Sequence, residues 1–119
     1  MTWFIPGNVP SSKNGKQWTG KFLVMSRACR EYKKQYFSYY QEFAQDFRQH
    51  AVDKPKPLQI SFRFIRGSKH AFDYINPLQY VQDLMVEAGW IPDDNADEIL
   101  PIFIPYEYNK KEPGVKITI

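Results

Sequence analysis

Residues Asp73–Glu98 read DYINPLQYVQDLMVEAGWIPDDNADE: seven carboxylates and not one lysine or arginine. The local structure of this stretch is legible. Asn76 followed by Pro77 is a helix start, because asparagine accepts from an orphan N–H and proline is tolerated in the first turn. Leu78, Val81, Leu84, Met85 and Ala88 recur at helical spacing and form one apolar face. Gly89 supplies a left-handed stop. The pattern predicts a helix from about Pro77 to Ala88, with Asn76, Gln79, Tyr80, Asp83 and Glu87 along a polar side.

Outward from this helix, the segment His70–Asn109 holds eight acids and no Lys or Arg. The rest of the chain holds all 16 bases and five acids, so −8 inside faces +11 outside in a chain of net charge +3. Two readings stand side by side. The acids pair with bases elsewhere in the fold, or they gather to hold a divalent cation while the bases hold an anion. If the chain after Gly89–Pro92 folds back along the helix, Asp93 and Asp94 approach Asp73 and Asp83. Such hard oxygen ligands suit Mg²⁺ or Mn²⁺.

At 119 residues, with 43% hydrophobic and 17% aromatic side chains, the chain is expected to be one domain with a real core. The single cysteine, Cys29, precludes an internal disulfide and fits a reducing cytoplasm. Two histidines and one cysteine cannot build a conventional zinc site by themselves. No apolar run approaches the ~20 residues of a membrane span, and no signal peptide is expected.

Trp3–Pro6 reads as a short strand, and Gly7–Gly20 as a loop. Lys13, Lys16 and Lys21 with Trp18 make that loop either a solvated surface segment or a basic arm on phosphates. Phe22–Met25 is a second short strand. Ser26 caps a long helix running towards His50, whose stripe of Tyr32, Tyr36, Tyr39/Tyr40, Phe43 and Phe47 is core or interface. Arg27, Arg30, Lys33 and Lys34 crowd its first turns against the macrodipole, as surface charge or as a phosphate site. Asp53–Pro57 breaks the helix, and Leu58–Ile65 alternates as a half-buried strand. Arg66, Lys69 and His70 connect it to Asp73, as charge partners of the acids or as a phosphate contact.

Ile99–Tyr108 alternates again. Pro101 and Pro105 share one parity, so both remove backbone donors from one side, which predicts an edge strand blunted on its open side. Asn109–Gly114 is expected to be a hairpin loop before a last strand, Val115–Ile119. The predicted fold is α+β: one domain over 1–119, a mixed sheet with two main helices in the order βαβαββ, with a short extra strand after the first. There is no Ser/His/Asp or Cys/His arrangement, no Gly-x-Gly-x-x-Gly and no Walker loop, so nucleotide-triphosphate chemistry is unsupported. Metal-assisted phosphodiester hydrolysis is the chemistry left for carboxylates in basic surroundings.

The run Asp73-Tyr-Ile-Asn76, then Asp83, then Ala88-Gly89-Trp90-Ile91-Pro92-Asp93-Asp94 resembles the RusA family of Holliday-junction resolvases. That family's motif is Asp-x-Asp-Asn, a lysine three residues later, an aspartate seven after the asparagine, and a hydrophobic turn ending in Asp-Asp. The opening Pro6–Asn14 is similar to the family's first loop, and the element order agrees. The resemblance implies Mg²⁺-dependent endonucleases, active as homodimers, that nick four-way DNA junctions in recombination and repair. It implies that Asp73 and Asp94 are catalytic and metal-binding, that Asp83 and Asp93 support the metal, and that Asn76 is a motif position. Ile75 stands where the family has its second aspartate, and Gln79 where it has the lysine; neither side chain replaces the lost charge, and Asp83 or, more distantly, Asp97 is the candidate substitute ligand. The expected DNA contacts are Lys13, Asn14, Lys16, Lys21, Arg27, Arg30, Arg66 and Lys69. The alternatives are a junction-binding protein that kept the fold and lost the active site, and a protein-interaction domain meeting its partner through the aromatic helix.

Overall fold

The computed structural model describes residues 1–11, 16–18 and 23–119. The element order is β1 (Thr2–Pro6), β2 (Lys16–Trp18), β3 (Leu23–Met25), α1 (Arg27–Ala51), β4 (Leu58–Arg66), α2 (Ile75–Glu87), β5 (Ile99–Phe103), β6 (Glu107–Tyr108) and β7 (Gly114–Thr118). The α+β fold and mixed sheet are as expected. The main sheet runs β1-β7-β4-β5, with β6 also on β4. β7 lies antiparallel to both β1 and β4, whereas β5 and β6 run parallel to β4.

Two expectations are corrected. The segment Gly7–Gly20 is not all loop, since β2 within it pairs antiparallel with β3. Asn109–Gly114 is not a hairpin: β6 and β7 both pair with β4 and not with each other. The reason is that β4 carries the densest apolar alternation and takes the centre of the sheet, so the last strand enters beside it.

One face of the sheet is covered by the helices. Ile60, Phe62 and Phe64 of β4, Ile5 of β1, and Val115 and Ile117 of β7 are fully buried there. Against them α1 presents Tyr40 and Phe47, also fully buried, so most of the aromatic stripe is core. The indoles lock the layers. Trp3 Nε1 donates to Asp46 Oδ2 at 2.9 Å, and Trp90 Nε1 donates to the Tyr40 carbonyl at 2.6 Å. Ser26 caps α1 as expected, accepting from the Cys29 N–H at 3.3 Å.

β5 is the sheet's edge, as its prolines predict. Ile104 N–H donates to the Phe62 carbonyl at 3.0 Å, so even-numbered residues here turn their N–H towards β4. Pro101 and Pro105 therefore lack donors on the outer side. Among the described residues no helix is long and apolar enough to cross a membrane.

Candidate functional site

The acidic helix begins earlier than the Asn-Pro signal suggests. Asn76 N–H donates to the Asp73 carbonyl at 3.1 Å, and Leu78 N–H to that of Tyr74 at 3.2 Å. Helical turns thus start at Asp73–Tyr74. The N-cap is Tyr74, with no side-chain capping bond, and Asn76 sits inside the first turn instead of capping it. Pro77 is then the third helical residue, where an N–H has no intrahelical partner to lose. Gly89 ends the helix in the left-handed region, at φ 84°.

The acids fall into three groups. Some meet bases: Glu87 accepts from Lys33 Nζ at 2.6 Å, while Glu98 pairs with Lys56 and Glu107 with Arg63. Others build the turn after α2. The Asp93 carboxylate accepts from the Asp94 N–H at 2.8 Å and Asn95 Nδ2 at 3.0 Å. Those bonds, the backbone N–H first, hold its pKa below the usual carboxylate range. Asn95 Oδ1 in turn accepts from the N–H groups of Asp97 and Glu98 at 3.0 and 3.2 Å. The third group is the helix face, where Gln79 Nε2 donates to Asp83 Oδ1 at 3.2 Å. The residue in place of the family lysine is thus engaged with one of the candidate ligands. Asp73 is exposed and Asp94 half-buried. Neither they nor Asp93 and Asp97 form an ion pair with a described lysine or arginine.

The chain does return past α2, as β5 and β6, but only after Asp93 and Asp94. Tyr74, beside Asp73, accepts from the Tyr106 N–H at 2.9 Å, which places Asp73 near the Arg66 end of β4. Beyond the other end of the helix, the Glu98 carbonyl accepts from Leu58 N–H at 2.8 Å, so Asp93–Glu98 hands over at the first residue of β4. The 13 residues of α2 rise by roughly 20 Å, and that length separates Asp73 from Asp93 and Asp94 within one chain. Among the described residues, no three His, Cys, Asp or Glu side chains are grouped closely enough to hold a metal ion.

The bases are placed as follows. Lys13, Asn14 and Lys21 lie outside the described residues, as does the side chain of Lys16. Arg27 is exposed and pairs with Glu31 at 2.9 Å. Arg30 is exposed, and with Lys33, Lys34, Phe37, Ser38 and Gln41 it lines an open groove of about 620 Å³ on α1. Arg66 departs from the expected phosphate contact because it is buried, at 5% exposure. Its Nη1 donates to the Val9 carbonyl at 2.6 Å and its Nη2 to Ser11 Oγ at 3.2 Å. Its guanidinium lies 4.5 Å from the Phe72 ring centroid. Burial lowers its pKa, and Nε has no partner among the described residues. It therefore fastens the loop after β1 to the approach to Asp73. Lys69 is exposed, with Nζ 5.0 Å from the Tyr108 ring centroid.

Sequence reasoning missed an aromatic group next to Asp73. Tyr74 contacts Phe103 at 5.3 Å, Tyr106 at 6.4 Å and Phe72 at 5.3 Å between ring centroids. The alternation of Ile99–Tyr108 carried the signal, but on its own it specifies a strand and not which rings stay uncovered. No family model matches this chain, and no curated protein is detectably similar to it in sequence.

Proposed function

We propose that this protein is a RusA-like, Mg²⁺-dependent endonuclease of branched DNA, acting as a homodimer. The observation that supports it most is the motif run from Asp73 to Asp94, whose two end aspartates have no basic partner among the described residues. An exposed Asp73 carboxylate and a half-buried Asp94 form the hard-oxygen donor set that Mg²⁺ takes. Since α2 holds them apart in one chain, the metal site requires two copies, Asp73 of one copy meeting Asp94 of the other across a two-fold axis. There the ion would activate water and stabilise charge on the phosphodiester. Asp83, held by Gln79, is the nearest substitute for the carboxylate missing at Ile75. The basic groove on α1 supplies cations for the DNA backbone.

The test is nicking of synthetic four-way junctions in Mg²⁺ by the wild-type protein, Asp73→Asn and Asp94→Asn. Wild type nicks opposed strands, and each variant loses about 100-fold or more of the rate while still binding junctions. Equal nicking by all three rejects the assigned roles. A second reading, a junction-binding protein without catalysis, draws on Ile75, which is 66% exposed where an acid ligand is needed. Tight binding with no cleavage in either Mg²⁺ or Mn²⁺ selects that reading.

A further inference from the structure

Close to Asp73 the edge of the sheet carries three large rings open to solvent: Phe103, Tyr106 and Tyr108, exposed by 44%, 49% and 45%. Half-buried Phe72 and Tyr74 back Phe103 and Tyr106. The Phe72 ring stands edge-on to Tyr106 at 5.1 Å, and Tyr74 OH accepts the Tyr106 N–H. The rings are thus fixed from behind while their outer sides face water. We propose that this surface is a stacking platform for bases left unstacked at the opened branch point of the DNA; the inference rests on the nucleic-acid reading above.

Three features favour a base over a protein partner. The backbone here does not invite a strand: Pro101 and Pro105 have no N–H, the Tyr106 N–H is used by Tyr74, and the Ile99 N–H by the Asn95 carbonyl. Of the outward positions 99, 101, 103 and 105 only Phe103 can then offer an N–H, so a partner must engage mainly side chains. Those side chains are aromatic planes, which every base can stack on regardless of sequence. Cations also stand among them: Lys69 lies against Tyr108, and Lys110 and Lys111 follow directly and are exposed. Set against itself on a two-fold axis, this patch would bring these lysines against their own equivalents. Against DNA they meet phosphate. Intact duplex keeps its bases stacked internally. A four-way branch point held open leaves the end base pairs of its arms unstacked on one side, so the platform acts on junction selectivity.

The experiment compares wild type with Phe103→Ala, Tyr106→Ala, Tyr106→Phe and Tyr106→Leu. It measures affinity for a four-way junction and for duplex of the same length, emission of 2-aminopurine placed at the branch point, thermal unfolding, and oligomeric state by sedimentation. Each alanine variant should unfold like wild type and bind the junction roughly tenfold more weakly, the loss of one base–aromatic stack. Duplex affinity should move by less than about twofold. Tyr106→Phe restores junction binding and the 2-aminopurine response, whereas Tyr106→Leu, apolar but without a plane, does not. Wild-type junction affinity in the alanine variants, or full rescue by leucine, overturns the platform while leaving the nuclease reading in place. Dissociation of a dimer in the variants overturns it in favour of a contact between copies. If wild type binds neither junction nor duplex, the nucleic-acid reading fails and the platform with it.

Discussion

Asp93 and Asn95 do at short range what the aspartate run first suggests for a metal. A carboxylate that accepts its neighbour's N–H and a side-chain amide is satisfied by its own turn. That ionised form is favoured only in the folded chain, so its contribution to stability is present above the unfolded pKa and is lost as pH falls through the lower folded value. By NMR titration Asp93 should therefore show a midpoint below the ordinary aspartate value of about 3.9, and Asn95→Ala should raise it. A midpoint at or above the ordinary value would mean these two bonds do not persist in solution. Arg66 shows the converse. Its sequence neighbours Lys69 and His70 mark it as a surface cation, yet the loop after β1 closes over it and uses both its terminal nitrogens.

At the scale of elements, the entry from β1 into the N-terminal loop depends on two glycines. Gly7 adopts φ 102°, and a Cβ added there would lie 2.3 Å from Tyr36 Cε2. Gly114, opposite Pro6 in the β1–β7 pairing, would place a Cβ 2.4 Å from the Ile5 carbonyl oxygen. Gly7→Ala combines a strained backbone with an overlap against a ring packed on the core, and should cost more than about 2 kcal/mol. Urea unfolding with an unchanged m-value measures it, and a midpoint equal to wild type would show that Tyr36 simply moves aside. The edge strand follows the same logic of local chemistry. Two prolines of one parity were enough to place β5 at the rim, because a missing N–H is tolerated only where no neighbour needs it.

Across the whole molecule, the acids are divided between the two ends of α2, and this division makes the proposed site a matter of assembly. Asp73→Asn and Asp94→Asn chains should each be inactive alone. Mixed and allowed to exchange, they should recover roughly a quarter of the wild-type nicking rate, since half the dimers then carry one intact site of two. A site contained in one chain recovers nothing. Junction affinity should also fall steeply with salt, as expected where lysines and arginines displace counterions.

The places of β1, α1, β4 and β7, the edge character of β5 and the apolar face of α2 follow from the sequence because each depends on period, proline or glycine chemistry within a few residues; β2 and the first turn of α2 do not. The sequence also determines the charge segregation, whatever the fold. Tertiary structure alone decided that the last strand enters beside β4, that Arg66 is enclosed, and that Phe103 and Tyr106 stay uncovered. It also decided that Asp73 and Asp94 stand a helix-length apart. Those outcomes depend on which segments far apart along the chain bury one another, and a residue's type and spacing do not encode its distant neighbours.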